Sequence, residues 1–146
     1  MTREDIVTEA REWIGTKWQH QQSLKGVATD CIGLVRGVYT NLTGIVFTDV
    51  INYPQSPFFY CRDERMYLEM QKYLIEIPVS EAKLGDIFTF ALKSRFPDHH
   101  LGIISADGFI IHAVGEPGIM LTIESRIDGK WRGYIRHAFR YPGVVD

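Results

Sequence analysis

The hydrophobic pattern of this chain changes once, at Gly85, and that change restricts the fold more than any other feature. Before Gly85, apolar residues recur at the three- and four-residue spacing of helices. After it, short apolar runs are separated by turn residues, as in consecutive strands. This order predicts an α+β fold with N-terminal helices packed on a C-terminal antiparallel sheet. The 146 residues suffice for one core, so we predict a single domain over residues 1–146.

Three helices and five strands follow from this pattern. The predicted helices cover residues 4–14, 31–42 and 63–76, and they end at Gly15, Gly44 and Pro78. The predicted strands cover residues 86–90, 100–104, 109–113, 119–123 and 134–141. We expect a loop over residues 16–28 and an irregular connection, rich in aromatic residues, over residues 45–61.

Cys31 stands at the start of the second predicted helix. Thr29 or Asp30 can cap this helix, which places Cys31 in the first turn. The free backbone N–H groups and the helix dipole at such a position favour thiolate over thiol and make a cysteine nucleophilic. The backbone N–H of Cys31 is also a natural donor to an oxyanion. We therefore interpret Cys31 as a catalytic nucleophile.

Two histidines on neighbouring predicted strands, His100 and His112, are candidates for the base and the residue that orients it. Their relative position depends on the hairpin loop around Gly108. A two-residue loop would place the histidines on opposite faces of the sheet. A three-residue loop, with Gly108 in the left-handed conformation, would pair Gly102 with His112 and put both imidazoles on one face, roughly 7–8 Å apart between backbones. The sequence permits both loops, and we predict the three-residue form.

Composition and charge exclude several classes of partner. The net charge is -2 and charges of both signs are interspersed, so nucleic acid is not an expected partner. No apolar stretch approaches the ~20 residues that cross a bilayer, so we expect no membrane association. The N-terminus has no apolar signal-peptide core, and we expect the protein to be cytoplasmic as synthesised.

We expect no metal and no cofactor. Adjacent strand residues point to opposite faces, so His99 and His100 are not expected to bind one ion together. Cys61 is interpreted as a small buried apolar residue, because a reducing cytosol does not favour a disulfide with Cys31.

The sequence resembles the NlpC/P60 cysteine peptidases, and within them the short phage-tail type. The matching segments are residues 13–18, 29–35, 84–88, 100–104, 109–113, 124–126 and 138–143. The resemblance implies a papain-like α+β fold with a catalytic triad of Cys31, His100 and His112. It also implies a thiol protease that hydrolyses stem peptides of bacterial cell-wall peptidoglycan, typically after a γ-linked D-glutamate.

Two positions depart from the pattern of this family. Lys17 and Trp18 stand where the family usually has Pro-Tyr, whose hydroxyl lies close to the thiol. The indole N–H of Trp18 can donate a hydrogen bond but cannot accept one. Ile32 stands where some members have a serine that helps to bind a free amino end of the substrate, so that preference is not carried over.

Trp18, Asp30 and His20 are the candidates for substrate binding. Each also has a simpler interpretation: a core residue for Trp18, a helix cap for Asp30 and a solvated loop residue for His20. Two other functions stay open. One is an assembly component of a phage tail or related particle, with weak or no catalysis and tail proteins as partners. The other is a thiol amidase or acyltransferase that acts on another substrate.

Overall fold

The computed structural model describes residues 1–47, 65–91 and 97–146. Most of the expected connection over residues 45–61 lies outside this part, as does Cys61. Within the described ranges no helix is both long and apolar enough to cross a bilayer.

Three of the four described helices begin directly after a residue whose side chain caps the helix N-terminus. The described residues form α1 (Arg3–Arg11), α2 (Cys31–Thr43), α3 (Arg65–Tyr73) and the short α4 (Gly129–Arg132). Thr2 caps α1 through a reciprocal pair of hydrogen bonds with Asp5. Gly44 ends α2 in the left-handed conformation, with φ of 78°, as the sequence predicts.

The strands of the described residues form one nine-stranded sheet, in the order β2-β3-β1-β8-β7-β6-β5-β9-β4. The N-terminal strands are β1 (Lys17–Trp18), β2 (Ser23–Leu24), β3 (Ala28–Thr29) and β4 (Ile75–Ile77). The C-terminal strands are β5 (Ile87–Phe90), β6 (His100–Ala106), β7 (Phe109–Val114), β8 (Leu121–Arg126) and β9 (Ile135–Arg140). The pairs from β8 to β4 are all antiparallel, whereas β1 and β3 are parallel.

Several boundaries differ from the sequence-based prediction, among them that of the fourth predicted strand, which covers Leu121–Arg126 in place of residues 119–123. Helix α1 ends at Arg11, so that Trp13 is buried just beyond it. The expected loop over residues 16–28 contains β1 and β2 and ends within β3. The third predicted helix ends at Tyr73, because Ile75–Ile77 pairs with β9 and completes the sheet edge.

Residues along β6 and β7 alternate between two apolar clusters. Leu101, Ile103 and Ile111 pack with α1 and α2 in the main core. Ile104 and Ile110 face the other way and pack in a smaller cluster with residues of β5 and α4. The C-terminal antiparallel sheet with helices packed on it confirms the α+β fold that the sequence predicts.

Candidate active site

Cys31 is the first residue of α2, and Asp30 is the cap of that helix. The Gly33 N–H donates to Asp30 Oδ1 at 2.8 Å. The other carboxylate oxygen, Oδ2, accepts from the Gln21 N–H at 2.7 Å. Asp30 therefore fixes the start of α2 and the loop before it at the same time, which confirms its interpretation as a helix cap.

Gly33 is required by close packing between that loop and α2. A Cβ atom at this position would lie 1.9 Å from the carbonyl oxygen of Gln22. The same oxygen accepts from the Asp30 N–H at 3.2 Å, so the loop backbone is held against the helix. The glycine two residues after Cys31 thus lets the loop approach the helix end that carries the thiol.

The Cys31 side chain is half-buried, in a setting that does not favour its charged form. Burial, followed by the negative charge of Asp30, raises the pKa of Cys31 to about 12. The backbone N–H groups of Leu101, Ile32 and Cys31 itself act in the opposite direction and do not outweigh these effects. Burial and the charge of the cap therefore act against the thiolate that the helix N-terminus favours, and the expectation of a lowered thiol pKa counts neither of them.

The hairpin between β6 and β7 brings His100 and His112 to one face of the sheet. Its loop has two residues, closed by the pair Ala106 and Phe109, so the predicted three-residue loop is wrong. A β-bulge between Ile104 and Ala106 shifts the register by one residue, however, and restores the pairing predicted for the longer loop. Two features expected of the longer loop are also present: the left-handed conformation of Gly108 and the position of Gly102 beside His112.

Gly108 has φ of 77°, and Gly102 lies against His112. A Cβ atom at Gly102 would be 3.1 Å from the Cβ of His112. The glycine therefore leaves the space beside the second histidine open, as the sequence indicates.

The two imidazoles are in direct contact, and a serine continues the chain of hydrogen bonds. His100 Nε2 lies 2.8 Å from His112 Nδ1. His112 Nε2 lies 2.8 Å from Ser125 Oγ. Residues 124–126 are among the segments that resemble the family, but the sequence does not predict the contact of Ser125 with His112, since it depends on the pairing of β7 with β8. The pairs Ile110–Ser125 and His112–Ile123 make Ser125 a diagonal neighbour of His112 on the same face.

Both histidines are held in the neutral form at neutral pH. Burial lowers the pKa of His112 to about 4. Burial, with smaller contributions from the charges of His112 and His99, lowers the pKa of His100 well below its usual value. The arrangement at neutral pH is thus a neutral thiol beside two neutral imidazoles.

The Cys31 thiol lies near the first residues of β6, the strand that begins with His100. The backbone N–H of Leu101, the residue after His100, faces the Cys31 sulfur. Among the residues that the structure describes, the sulfur has no hydrogen bond to either imidazole. The arrangement brings Cys31 to the backbone next to His100.

Aromatic side chains surround His100 on its side of the sheet. The ring centroids of Phe90 and Trp131 lie 6.0 and 6.2 Å from that of His100. Trp131, on α4, also meets Phe90 edge-on at 5.5 Å. Packing against these rings contributes to the burial that lowers the pKa of His100.

A buried carboxylate fixes the chain just before His100. Asp98 Oδ2 accepts hydrogen bonds from Thr89 Oγ1 at 2.5 Å and from His137 Nδ1 at 2.7 Å. Thr89 and His137 belong to β5 and β9, so Asp98 ties the start of β6 to both strands. This anchoring limits the movement of His100 relative to the sheet.

The three candidates for substrate binding lie around the start of α2. His20 Nδ1 is 3.9 Å from Asp30 Oδ2, and the His20 side chain is 28% exposed. Trp18 is half-buried on β1, next to Thr29 of β3. A Cβ atom at Gly115 would lie 2.6 Å from Cε2 of Trp18, so the indole packs against that glycine. A role in binding substrate stays a prediction for all three residues.

In the described ranges no group of three or more His, Cys, Asp or Glu side chains is arranged to hold a metal ion.

Comparison with known proteins finds relatives only at the level of structure. No protein-family model and no curated protein matches the sequence. The chain is similar to the NlpC/p60 domain of the peptidoglycan hydrolase SagA, with a TM-score of 0.68 and 24% identity over 95% of this chain and 98% of that chain.

Two further solved structures have the same fold. One is an NlpC/P60 family protein from Bacillus cereus, with a TM-score of 0.67 and 17% identity over 97% of this chain and 40% of that one. The other is the peptidoglycan hydrolase RipB from Mycobacterium tuberculosis, with a TM-score of 0.58 and 18% identity over 94% of this chain and 63% of that one. The chain thus has the fold of NlpC/P60 domains, and it spans less than two thirds of these two longer proteins.

Proposed function

We propose that this protein is a cysteine hydrolase that cleaves the stem peptides of peptidoglycan. Cys31 is the nucleophile, His100 the base and His112 the residue that orients the base. The observation that carries the proposal is the 2.8 Å contact between His100 Nε2 and His112 Nδ1, at the start of the strand that Cys31 meets. The substrate class is supported by the names of SagA and RipB as peptidoglycan hydrolases.

The proposed reaction starts from the neutral thiol. Because His100 Nε2 is engaged by His112, Nδ1 is the nitrogen left to take the thiol proton. The Cys31 sulfur forms a bond to the substrate carbonyl carbon as this proton moves to His100. The backbone N–H of Cys31 stabilises the oxyanion that results.

The second half of the reaction restores the enzyme. The carbon–nitrogen bond breaks and His100 gives its proton to the leaving amine, which leaves a thioester on Cys31. Water then attacks the thioester as His100 takes one of its protons. Release of the carboxylic acid returns that proton to the sulfur.

We further propose that the scissile bond follows a γ-linked D-glutamate and that the protein is delivered to the wall by a phage tail or a related particle after synthesis in the cytoplasm. Both proposals rest on the resemblance of the sequence to the phage-tail type of NlpC/P60 peptidase. Trp18, Asp30 and His20 would line the substrate side of the site.

Incubation of the purified protein with insoluble peptidoglycan tests the proposal, with released peptides read by mass spectrometry. The wild-type protein is expected to release fragments cut beside γ-linked D-glutamate. Cys31→Ala is expected to lower the rate on the order of 10³-fold or more. Cys61→Ser, which alters the other thiol, is the matched control and should keep the rate.

Three outcomes would overturn the proposal. Equal activity of Cys31→Ala and the wild-type protein would remove Cys31 from the reaction. If the wild-type protein leaves peptidoglycan intact and the particle cannot assemble without the protein, the function as an assembly component would be favoured. Cleavage only between the sugar and the peptide, or of unrelated amides, would favour the thiol amidase or acyltransferase.

A further inference from the structure

We propose that Ser125 is a positioning residue that accepts a hydrogen bond from His112 and thereby sets the direction of proton donation along the imidazole pair. The inference rests on the proposed function of Cys31 and His100. Its basis is the continuous chain of two 2.8 Å contacts from His100 through His112 to Ser125.

The first step follows from the nitrogen that each ring has available. To take a proton from Cys31, neutral His100 must have an unprotonated Nδ1, so its own proton is on Nε2. That N–H then donates to His112 Nδ1, which has to be the acceptor. Neutral His112 in turn has its proton on Nε2 and donates it to Ser125 Oγ.

The second step concerns the charged state. Once His100 has taken the thiol proton, both of its nitrogens are protonated, and Nε2 can only donate to His112. His112 Nδ1 therefore stays an acceptor, and His112 Nε2–H again requires an acceptor at position 125. Ser125 thus accepts both before and after the proton transfer.

The opposite direction of donation gives an inactive arrangement. If the Ser125 hydroxyl donated to His112 Nε2, His112 would have its proton on Nδ1 and donate it to His100 Nε2. Neutral His100 would then have its proton on Nδ1, the nitrogen that must take the thiol proton. The same three side chains would then present a donor to Cys31 instead of a base.

The position of Ser125 in the sheet makes it a fixed partner. It lies on β8 opposite Ile110, one diagonal step from His112, and is half-buried. Since β8 pairs with β7 along six consecutive residues, the backbone that carries the hydroxyl is fixed against the strand of His112. A short side chain on a paired strand has little freedom to leave the imidazole.

The first arm of the experiment measures the tautomers directly by long-range ¹H–¹⁵N NMR of the wild-type protein at neutral pH, with assignments from His100→Gln and His112→Gln. The proton of His112 is expected on Nε2. In Ser125→Ala the signals should change to a mixture of tautomers, and Ser125→Thr should restore the wild-type pattern. A proton on His112 Nδ1 in the wild-type protein would overturn the inference.

The second arm measures the kinetics of peptidoglycan fragment hydrolysis. Ser125→Ala is expected to lower kcat about ten- to hundred-fold, with KM changed by less than about two-fold, because Ser125 acts through His112. Ser125→Thr should recover most of kcat. Glu124→Ala, on the neighbouring exposed residue of β8, is the matched control.

The two arms separate this inference from the proposed function. If NMR shows the expected tautomers but the protein has no hydrolase activity, the proposed function is overturned, whereas the donation of a hydrogen bond from His112 to Ser125 is established. Hydrolysis that depends on Cys31 and is unchanged in Ser125→Ala would overturn the positioning role alone.

Discussion

Asp30 serves the fold and opposes the chemistry of the residue beside it. Its carboxylate caps α2 and holds the loop at Gln21. Its charge also helps to raise the pKa of the Cys31 thiol. The cap at Gly33 needs one oxygen that accepts a hydrogen bond, whereas the effect on the thiol needs the charge, so an asparagine would keep the cap, remove the charge and lose the acceptor for the Gln21 N–H.

Asp30→Asn is expected to make Cys31 more reactive. An asparagine caps a helix about as well as an aspartate does, and it removes the negative charge. The thiol pKa falls, and the rate of alkylation at pH 8 rises on the order of ten-fold for each pKa unit lost. Mass spectrometry of Cys31 alkylation as a function of pH measures this change.

The peptide that contains Cys61 is the internal control, since its alkylation should be the same in both proteins. An unchanged or higher apparent pKa of Cys31 in Asp30→Asn would show that burial alone sets it. His100→Ala in the same assay reports whether the base affects the resting thiol.

At the scale of elements, the start of α2 is set by the packing of the preceding loop on the helix. Gly33 allows the Gln22 carbonyl to reach the helix, and that carbonyl in turn accepts from Asp30. The position of the thiol is therefore fixed by a contact between two backbone segments that leaves no room for a side chain at position 33.

Gly33→Ala is expected to destabilise the protein by about 1–3 kcal/mol, because its methyl group would overlap the Gln22 carbonyl and force the loop away. Urea unfolding measures the loss. Gly129→Ala is the matched control, since that glycine also lies in a helix but has open space around its Cβ position. Equal stability of the two variants would contradict the argument.

The sequence predicts those elements whose pattern is local. The Asp30 cap, the Gly44 stop and the five C-terminal strands are read from capping residues and alternation. Strand β4 is not, because Ile75–Ile77 continues a helical spacing and becomes a strand only by pairing with β9. The β-bulge at Ser105 and the contact of Ser125 with His112 likewise depend on pairing between strands.

The same limit applies to electrostatics at the candidate site. The helix N-terminus beside Cys31 is visible in the sequence, and it predicts a lowered thiol pKa. Burial acts in the opposite direction and is decided by the packing of α2 against β6, which a local pattern does not contain.

At the scale of the whole molecule, one buried carboxylate joins the two ends of the chain. Asp86, at the entry to β5, has no exposed side-chain surface. It accepts from Arg3 of α1 at 3.0 Å and from Arg140 of β9 at 2.8 and 2.9 Å. Arg3 also binds the C-terminal residue Asp146.

Asp86→Ala is expected to lower the free energy of unfolding by about 3–5 kcal/mol, because it leaves the buried Arg3 guanidinium with only the exposed carboxylate of Asp146 and takes the paired carboxylate from Arg140. Urea unfolding at neutral pH measures the effect. Asp107→Ala, in the exposed hairpin turn, should change stability by less than about 0.5 kcal/mol. A loss of similar size in both variants would contradict the role of the cluster.

Because of the β-bulge at Ser105, the number of residues between the hairpin turn and His100 decides which side chains lie on the face of the candidate site. Between the turn and His100, the count of residues decides whether an imidazole or Leu101 points at a given face. Insertion or deletion of one residue there would interchange the two sets, moving His100 to the face packed on the helices and Leu101 to the face of the smaller cluster. A change in the length of this hairpin therefore keeps both apolar clusters only if two residues are added or removed. A change of one residue would need a second bulge to restore which side chains share a face.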